Sequence, residues 1–132
     1  MVDCYNAISL RHLVPAGAFD LDALSGDLVL RRTREGEWFQ PIGGEPAPVA
    51  AGEVSYADAE ALLTRHFVWR QAEKGKIAPD TRDVFLVAEV LGEVGPQVAR
   101  AVAHDFERTL VRFFNIQPQV FVVSRGSPRI DF

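Results

Sequence analysis

Asp83-Val84-Phe85-Leu86-Val87-Ala88-Glu89-Val90-Leu91 is the most hydrophobic run of the chain, and turn-forming residues bound it on both sides. Short, branched and nearly free of polar side chains, it reads as a central buried strand. Pro96 then stands where a proline suits the first turn of a helix, and Val98, Val102, Phe106, Leu110 and Phe113 follow at spacings of three and four. That periodicity predicts a long helix over residues 96–114, packed on the sheet that holds residues 83–91. Working outward, apolar residues at Val2, Tyr5, Ile8 and Leu13 predict an N-terminal helix stopped by Pro15 and Gly17. Residues 28–30 and 38–42 read as strands, with Glu35-Gly36-Glu37 turning the chain between them. Residues 54–71 read as a hairpin turning near Asp58, with 64–71 strand-like in composition. Residues 120–123 make a further candidate strand and 124–132 a tail. Strands with helices at the two ends mean an α+β fold, compact and β-rich.

The chain has 132 residues, enough for one domain at the usual size of about 100–200 residues, and residues 1–132 are read as one. Its 48% hydrophobic and 24% charged residues are the balance of a protein that buries a core. The lone cysteine, Cys4, cannot bridge within the chain, which suits a reducing compartment. No apolar run approaches the roughly 18 residues of a membrane span. Asp3 and Asn6 lie where a secretory signal would be building its apolar stretch, so a cytoplasmic protein is expected. The net charge of −4 argues against a tight non-specific nucleic-acid binder, and neither DNA nor a membrane is an expected partner. A local basic stripe remains compatible with weak contact to RNA.

Several chemistries have no support. The sequence holds neither a dinucleotide fingerprint, nor a Walker loop, nor a Gly-x-Ser-x-Gly elbow. His12, His66 and His104 lie far apart and, with one cysteine, give no zinc spacing. No metal or other cofactor is expected.

The N-terminal third carries the specific information. Asp3, Asn6 and Pro15 lead into Ala18-Phe19-Asp20-Leu21-Asp22, then Gly26, Arg31, and the Gly36-Glu37 turn. This pattern resembles the B3/B4 domain of the bacterial phenylalanyl-tRNA synthetase β subunit, the editing module of that enzyme, and most closely its freestanding relatives. The likeness runs over about residues 2–114, strongest to Gly44, and leaves 115–132 as an extra strand and tail. Because such relatives have further sequence before this point, a shortened version of them is expected. The resemblance implies a pocket that receives the 3′ end of a mischarged tRNA and hydrolyses the aminoacyl ester. That second site supplies discrimination which binding alone cannot.

The departures from the family pattern bear on the chemistry. A pocket histidine of the family falls on Gly17, which has no side chain to orient a water. The family's pocket glutamate corresponds to Val87, and the nearest carboxylate is Glu89, two places on and on the same strand face. A glycine-rich segment of the family is replaced by Val68-Trp69-Arg70-Gln71, an aromatic wall with a fork donor. The resemblance thus implies Glu89 as the catalytic group and Asn6, Gly17, Phe19, Asp20, Arg70 and Gln71 as substrate-binding residues. Asp20 and Asp22 equally fit a turn and helix cap, and Asn6 with Ser9 a loop cap. Glu89 also fits a strand end emerging into solvent. Arg100, His104, Arg108 and Arg112 recur every four residues as a weak candidate for the RNA backbone, or as a solvated face. The expected partner is tRNA or aminoacyl-tRNA, and the expected activity is deacylation in trans. Two rivals stand beside it: a non-catalytic RNA-binding module of the same fold, and a small-molecule or protein-binding domain.

Overall fold

A computed structural model of the protein describes residues 1–92 and 95–131. Its elements are α1 (Val2–His12), β1 (Ala16–Asp20), a 3-10 turn (Leu21–Ala23), β2 (Val29–Arg32), β3 (Trp38–Phe39), β4 (Ala47–Pro48), β5 (Val54–Ala57), β6 (Thr64–Arg65), β7 (Arg70–Gln71), β8 (Val84–Ala88) and α2 (Pro96–Phe114). The α+β reading holds, and α2 has the bounds that its periodicity predicts.

Helix α1 stops because Leu13 turns into the left-handed region, its N–H reaching the Ser9 carbonyl. The Ser9 hydroxyl donates to the Val14 carbonyl at 2.6 Å, which turns the chain into β1. Strand β1 pairs antiparallel with β8, setting Gly17 opposite Val87 and Ala18 opposite Leu86. Strand β2 pairs with β5, β3 with β4 and β6 with β7. The turn after β5 brings Ala57 against Leu62, the hairpin expected near Asp58.

The near-continuous apolar character of β8 follows from its having two cores to fill. Leu86, Ala88 and Val90 point to a cluster with Ile8, Val14, Val102 and Phe106, contributed by both helices and the turn after α1. Phe85 and Val87 point the other way, to a cluster of Phe19, Tyr56 and Leu63. Alternate side chains of a strand face opposite sides, so each residue serves one core. The helix α2 therefore packs on this strand as expected. The central buried position does not hold: among the described residues β8 pairs only with β1, and each of its five residues is half-buried.

Three other expectations are corrected. Residues 64–71 are not one strand; β6 and β7 fold back on each other, Thr64 opposite Gln71 and Arg65 opposite Arg70. Residues 120–123 form no strand, and their side chains are 44–66% exposed. Branched and aromatic composition favours a strand only where a neighbouring strand is available to pair. Phe113 is 67% exposed, whereas Leu110 is buried, so the apolar stripe ends one turn before the helix does. Asn115 closes that helix in the left-handed region, and the Ile116 N–H returns to the Leu110 carbonyl.

The two helices are also clipped electrostatically. The Asp105 carboxylate of α2 accepts from His12 Nε2 at 2.8 Å and from Arg11 at 3.1 Å, both at the end of α1. The hydrogen bond from His12 outweighs the cost of burial and, with the charges of Arg11 and Arg108, holds the Asp105 carboxyl below its ordinary range.

Candidate functional site

Strand β1, the start of α1, the β6–β7 turn and the end of β8 enclose a cavity of about 210 Å³. Asn6, Gly17, Phe19, Arg70, Gln71 and Glu89 line it, which brings together six of the seven pocket residues proposed from sequence. Asp20 is the exception. Its carboxylate accepts from the Asp22 N–H at 3.1 Å and the Thr81 hydroxyl at 2.6 Å, and it caps the 3-10 turn without lining the cavity. The cap reading, open at the level of sequence, is the one the geometry supports.

Glu89 follows β8 directly, and its N–H donates to the Pro15 carbonyl at 2.9 Å, prolonging the β1–β8 ladder. This places its side chain on the Val87 face, toward the cavity, and both residues line it. The Tyr56 hydroxyl donates to Glu89 Oε1. Tyr56 is only 9% exposed, and its ring meets Phe19 at 5.6 Å between centroids. Burial, reinforced by the hydrogen bond to Glu89, pushes the Tyr56 phenol far above the ordinary tyrosine range. The phenol therefore keeps its proton and acts as a fixed donor. One Glu89 oxygen is engaged, and the carboxylate is oriented toward the cavity.

Tyr56 was not among the residues proposed from sequence. Its only sequence signal is a tyrosine in the short strand Val54-Ser55-Tyr56-Ala57, where a buried phenol needs a polar partner. The partner lies on a distant strand and is invisible locally. The Thr64 hydroxyl accepts from the Tyr56 N–H at 2.9 Å, and Ser55 Oγ donates to the Thr64 carbonyl at 2.6 Å, so β6 holds that tyrosine in place.

The remaining residues divide by what their polar groups already touch. Gln71 Nε2 donates to the Ala18 carbonyl at 2.7 Å and is a strut between β7 and β1. Asn6 and Arg70 are exposed at the rim, and neither side chain has a hydrogen-bond or ion-pair partner among the described residues. The Arg70 guanidinium lies 4.8 Å over the Trp69 ring. At Gly17 a Cβ would meet nothing within 4 Å, so the missing side chain leaves room in the cavity. Among the described residues, no group of three or more His, Cys, Asp and Glu side chains is close enough to hold a metal ion.

The basic stripe lies elsewhere, on the exposed face of α2. His104, Arg108 and Arg112 border an open groove with Gln117 and Pro118, and Arg100 is exposed one turn earlier. Arg108 also reaches Asp105 at 3.2 Å, and the Arg112 guanidinium sits 5.1 Å over the Phe113 ring. No helix is long and apolar enough to cross a membrane among the described residues.

Residues 1–110 match the B3/4 domain. The chain belongs to that family. This B3/4 domain is 34% identical over 114 residues to the phenylalanine–tRNA ligase beta subunit of Methylococcus capsulatus, covering 81% of this chain and 14% of that protein. It is 31% identical over 86 residues to the same subunit of Dickeya dadantii, covering 65% of this chain and 11% of the relative. It thus spans a small part of the length of these relatives. Among solved structures, an N-terminal fragment of the phenylalanyl-tRNA synthetase beta subunit from Pyrococcus horikoshii superposes with a TM-score of 0.59. That likeness covers 77% of this chain and 37% of the fragment at 18% identity, and it shows a shared fold.

Proposed function

We propose that this B3/4 domain binds the aminoacylated 3′ end of tRNA and hydrolyses the ester of a wrongly attached amino acid, acting in trans in the cytoplasm. The observation that carries the reading is one cavity holding the Glu89 carboxylate, with Asn6 and Arg70 at its rim, their side chains without a hydrogen-bond or ion-pair partner among the described residues. Ester hydrolysis requires an oriented water and donors for the charge that develops on the carbonyl oxygen. Glu89, steadied by Tyr56, holds the water; Arg70 and Asn6 position the substrate. The water oxygen bonds to the carbonyl carbon, and the bond to the ribose oxygen breaks. A proton passes to that ribose oxygen, with the neighbouring ribose hydroxyl as relay. The products are the free amino acid and uncharged tRNA. The exposed stripe of Arg100, His104, Arg108 and Arg112 supplies weak contact with the RNA backbone.

One observation favours a second reading, a binding module without catalysis: among the described residues, the cavity lining includes no histidine, cysteine or serine. A deacylation screen over a panel of mischarged tRNAs separates the two. The deacylase reading expects hydrolysis above background with at least one member of the panel. Binding without hydrolysis of any member selects the module.

Glu89→Gln is the sharper test. Glutamine keeps the shape and still accepts from Tyr56, but it loses the charge that holds the water. Deacylation of a sensitive mischarged tRNA should fall at least about tenfold, the equivalent of about 1.4 kcal/mol in the barrier. Binding of the same tRNA, measured by filter retention, should hardly change. A fully active Glu89→Gln would make the carboxylate structural.

A further inference from the structure

We propose that Trp69 and Arg70 form a stacking platform for the terminal nucleobase of the bound RNA end, with the guanidinium taking the adjoining phosphate. This deepens the function proposed above and rests on it. Both residues line the cavity.

Trp69 is 64% exposed, so it adds little to the core. It is nevertheless held in place. His66 and Phe67, two consecutive non-glycine residues, both adopt the left-handed region, with φ of 45° and 68°. Such a conformation persists only where its surroundings enforce it. The enforcing contacts are visible: the Phe67 N–H donates to the Val54 carbonyl at 2.6 Å, and its ring packs on the cluster of Phe19, Tyr56 and Leu63. Glu53 takes two hydrogen bonds from Arg65, at 2.7 and 2.8 Å, and pairs with His66 at 3.2 Å. The Trp69 N–H returns to the Arg65 carbonyl at 3.1 Å. The turn thus presents an indole to solvent at the mouth of the cavity that holds Glu89.

Beside it, the Arg70 guanidinium lies over the ring with no carboxylate partner among the described residues. An exposed indole with a fork donor over one of its faces is complementary to a flat ring carrying an anion. A nucleotide has that composition: any base can stack on an indole, and arginine suits phosphate bidentately.

The chain has two tryptophans, and Trp38→Phe leaves Trp69 as the only indole fluorophore. In that background, adenosine 5′-monophosphate should quench the emission saturably, and ribose 5-phosphate, which lacks a base, should not. For uncharged tRNA, Trp69→Leu should weaken binding about tenfold, Trp69→Phe less than about threefold, and Arg70→Gln should reduce the salt slope by about one. Absence of quenching by the mononucleotide, or wild-type tRNA affinity in Trp69→Leu, overturns the platform. The two readings fail separately. A protein that deacylates tRNA with no dependence on Trp69 keeps its proposed function and loses the platform. A protein quenched by the mononucleotide that binds no tRNA keeps a nucleotide platform and loses the RNA-end function.

Discussion

Gly17→His is expected to raise the rate of deacylation by about 10²-fold, the lower end of what a positioned general acid or base contributes. The expectation is built from three observations. A Cβ at Gly17 meets no atom within 4 Å, so the backbone accepts a β-carbon there without rearrangement. The residue sits on β1 opposite Val87, and both line the cavity that Glu89 also lines. An imidazole introduced there enters the cavity that holds the Glu89 carboxylate, and its unperturbed pKa of about 6.5 suits proton transfer near neutral pH. Hydrolysis of a mischarged tRNA, followed under single turnover, measures the gain. Gly17→Ala is the control: it fills part of the same space without a titratable group and should leave the rate within about threefold of wild type, far below the effect of a general base. A histidine variant no faster than the alanine variant would mean that the reacting ester does not approach β1. The pH profile adds a second readout, since an imidazole acting as base brings a new inflection near its own pKa.

How far the sequence reaches can be read from particular residues. Helix α2 was legible because its proline start and its apolar spacing are local, and both ends fall as expected. Its burial was less so: Phe113 continues the spacing but projects beyond the surface that covers Leu110. Residues 64–71 misled for a related reason. Their composition favours a strand, yet the drawing of Phe67 into the core and the left-handed backbone at His66 and Phe67 convert the middle into a turn. Tertiary contacts won over propensity there. In the cavity, Asn6, Gly17, Arg70 and Glu89 were reached through a family pattern together with the face of one strand. Tyr56 was not, because its partner Glu89 lies 33 residues away and only the fold makes them neighbours. Asp20 sits inside the most recognisable motif of the chain and turns out to be a cap.

Asp58→Ala is expected to destabilise the protein by about 3 kcal/mol, roughly a 10²-fold shift of the unfolding equilibrium. Asp58 is buried at the tip of the hairpin that carries Tyr56. Its carboxylate accepts from the backbone N–H groups of Ser25 at 2.9 Å and of Glu60 and Ala61 at 2.8 Å each, and Lys74 Nζ lies 2.7 Å away. Alanine would strip all three part-buried amides of their acceptor and leave Lys74 without its buried partner, which costs more than the modest net worth of one hydrogen bond. Burial alone would raise the Asp58 pKa. The hydrogen bonds from Lys74 and the three amides outweigh it and bring the carboxyl from the ordinary 3.8 down to about 2. A pKa depressed by folding adds stability that is present above the unfolded value and lost as pH falls through the folded one. The depression corresponds to about 2 kcal/mol, in place above pH 4 and removed progressively toward pH 2. Urea unfolding at pH 7 should therefore separate wild type from Asp58→Ala by a clear drop in midpoint with an unchanged slope. At pH 2.5 the gap should narrow, because the wild-type carboxylate is by then losing its advantage. A gap that stays constant between the two pH values would mean that the carboxylate contributes through packing alone, with no share from its charge.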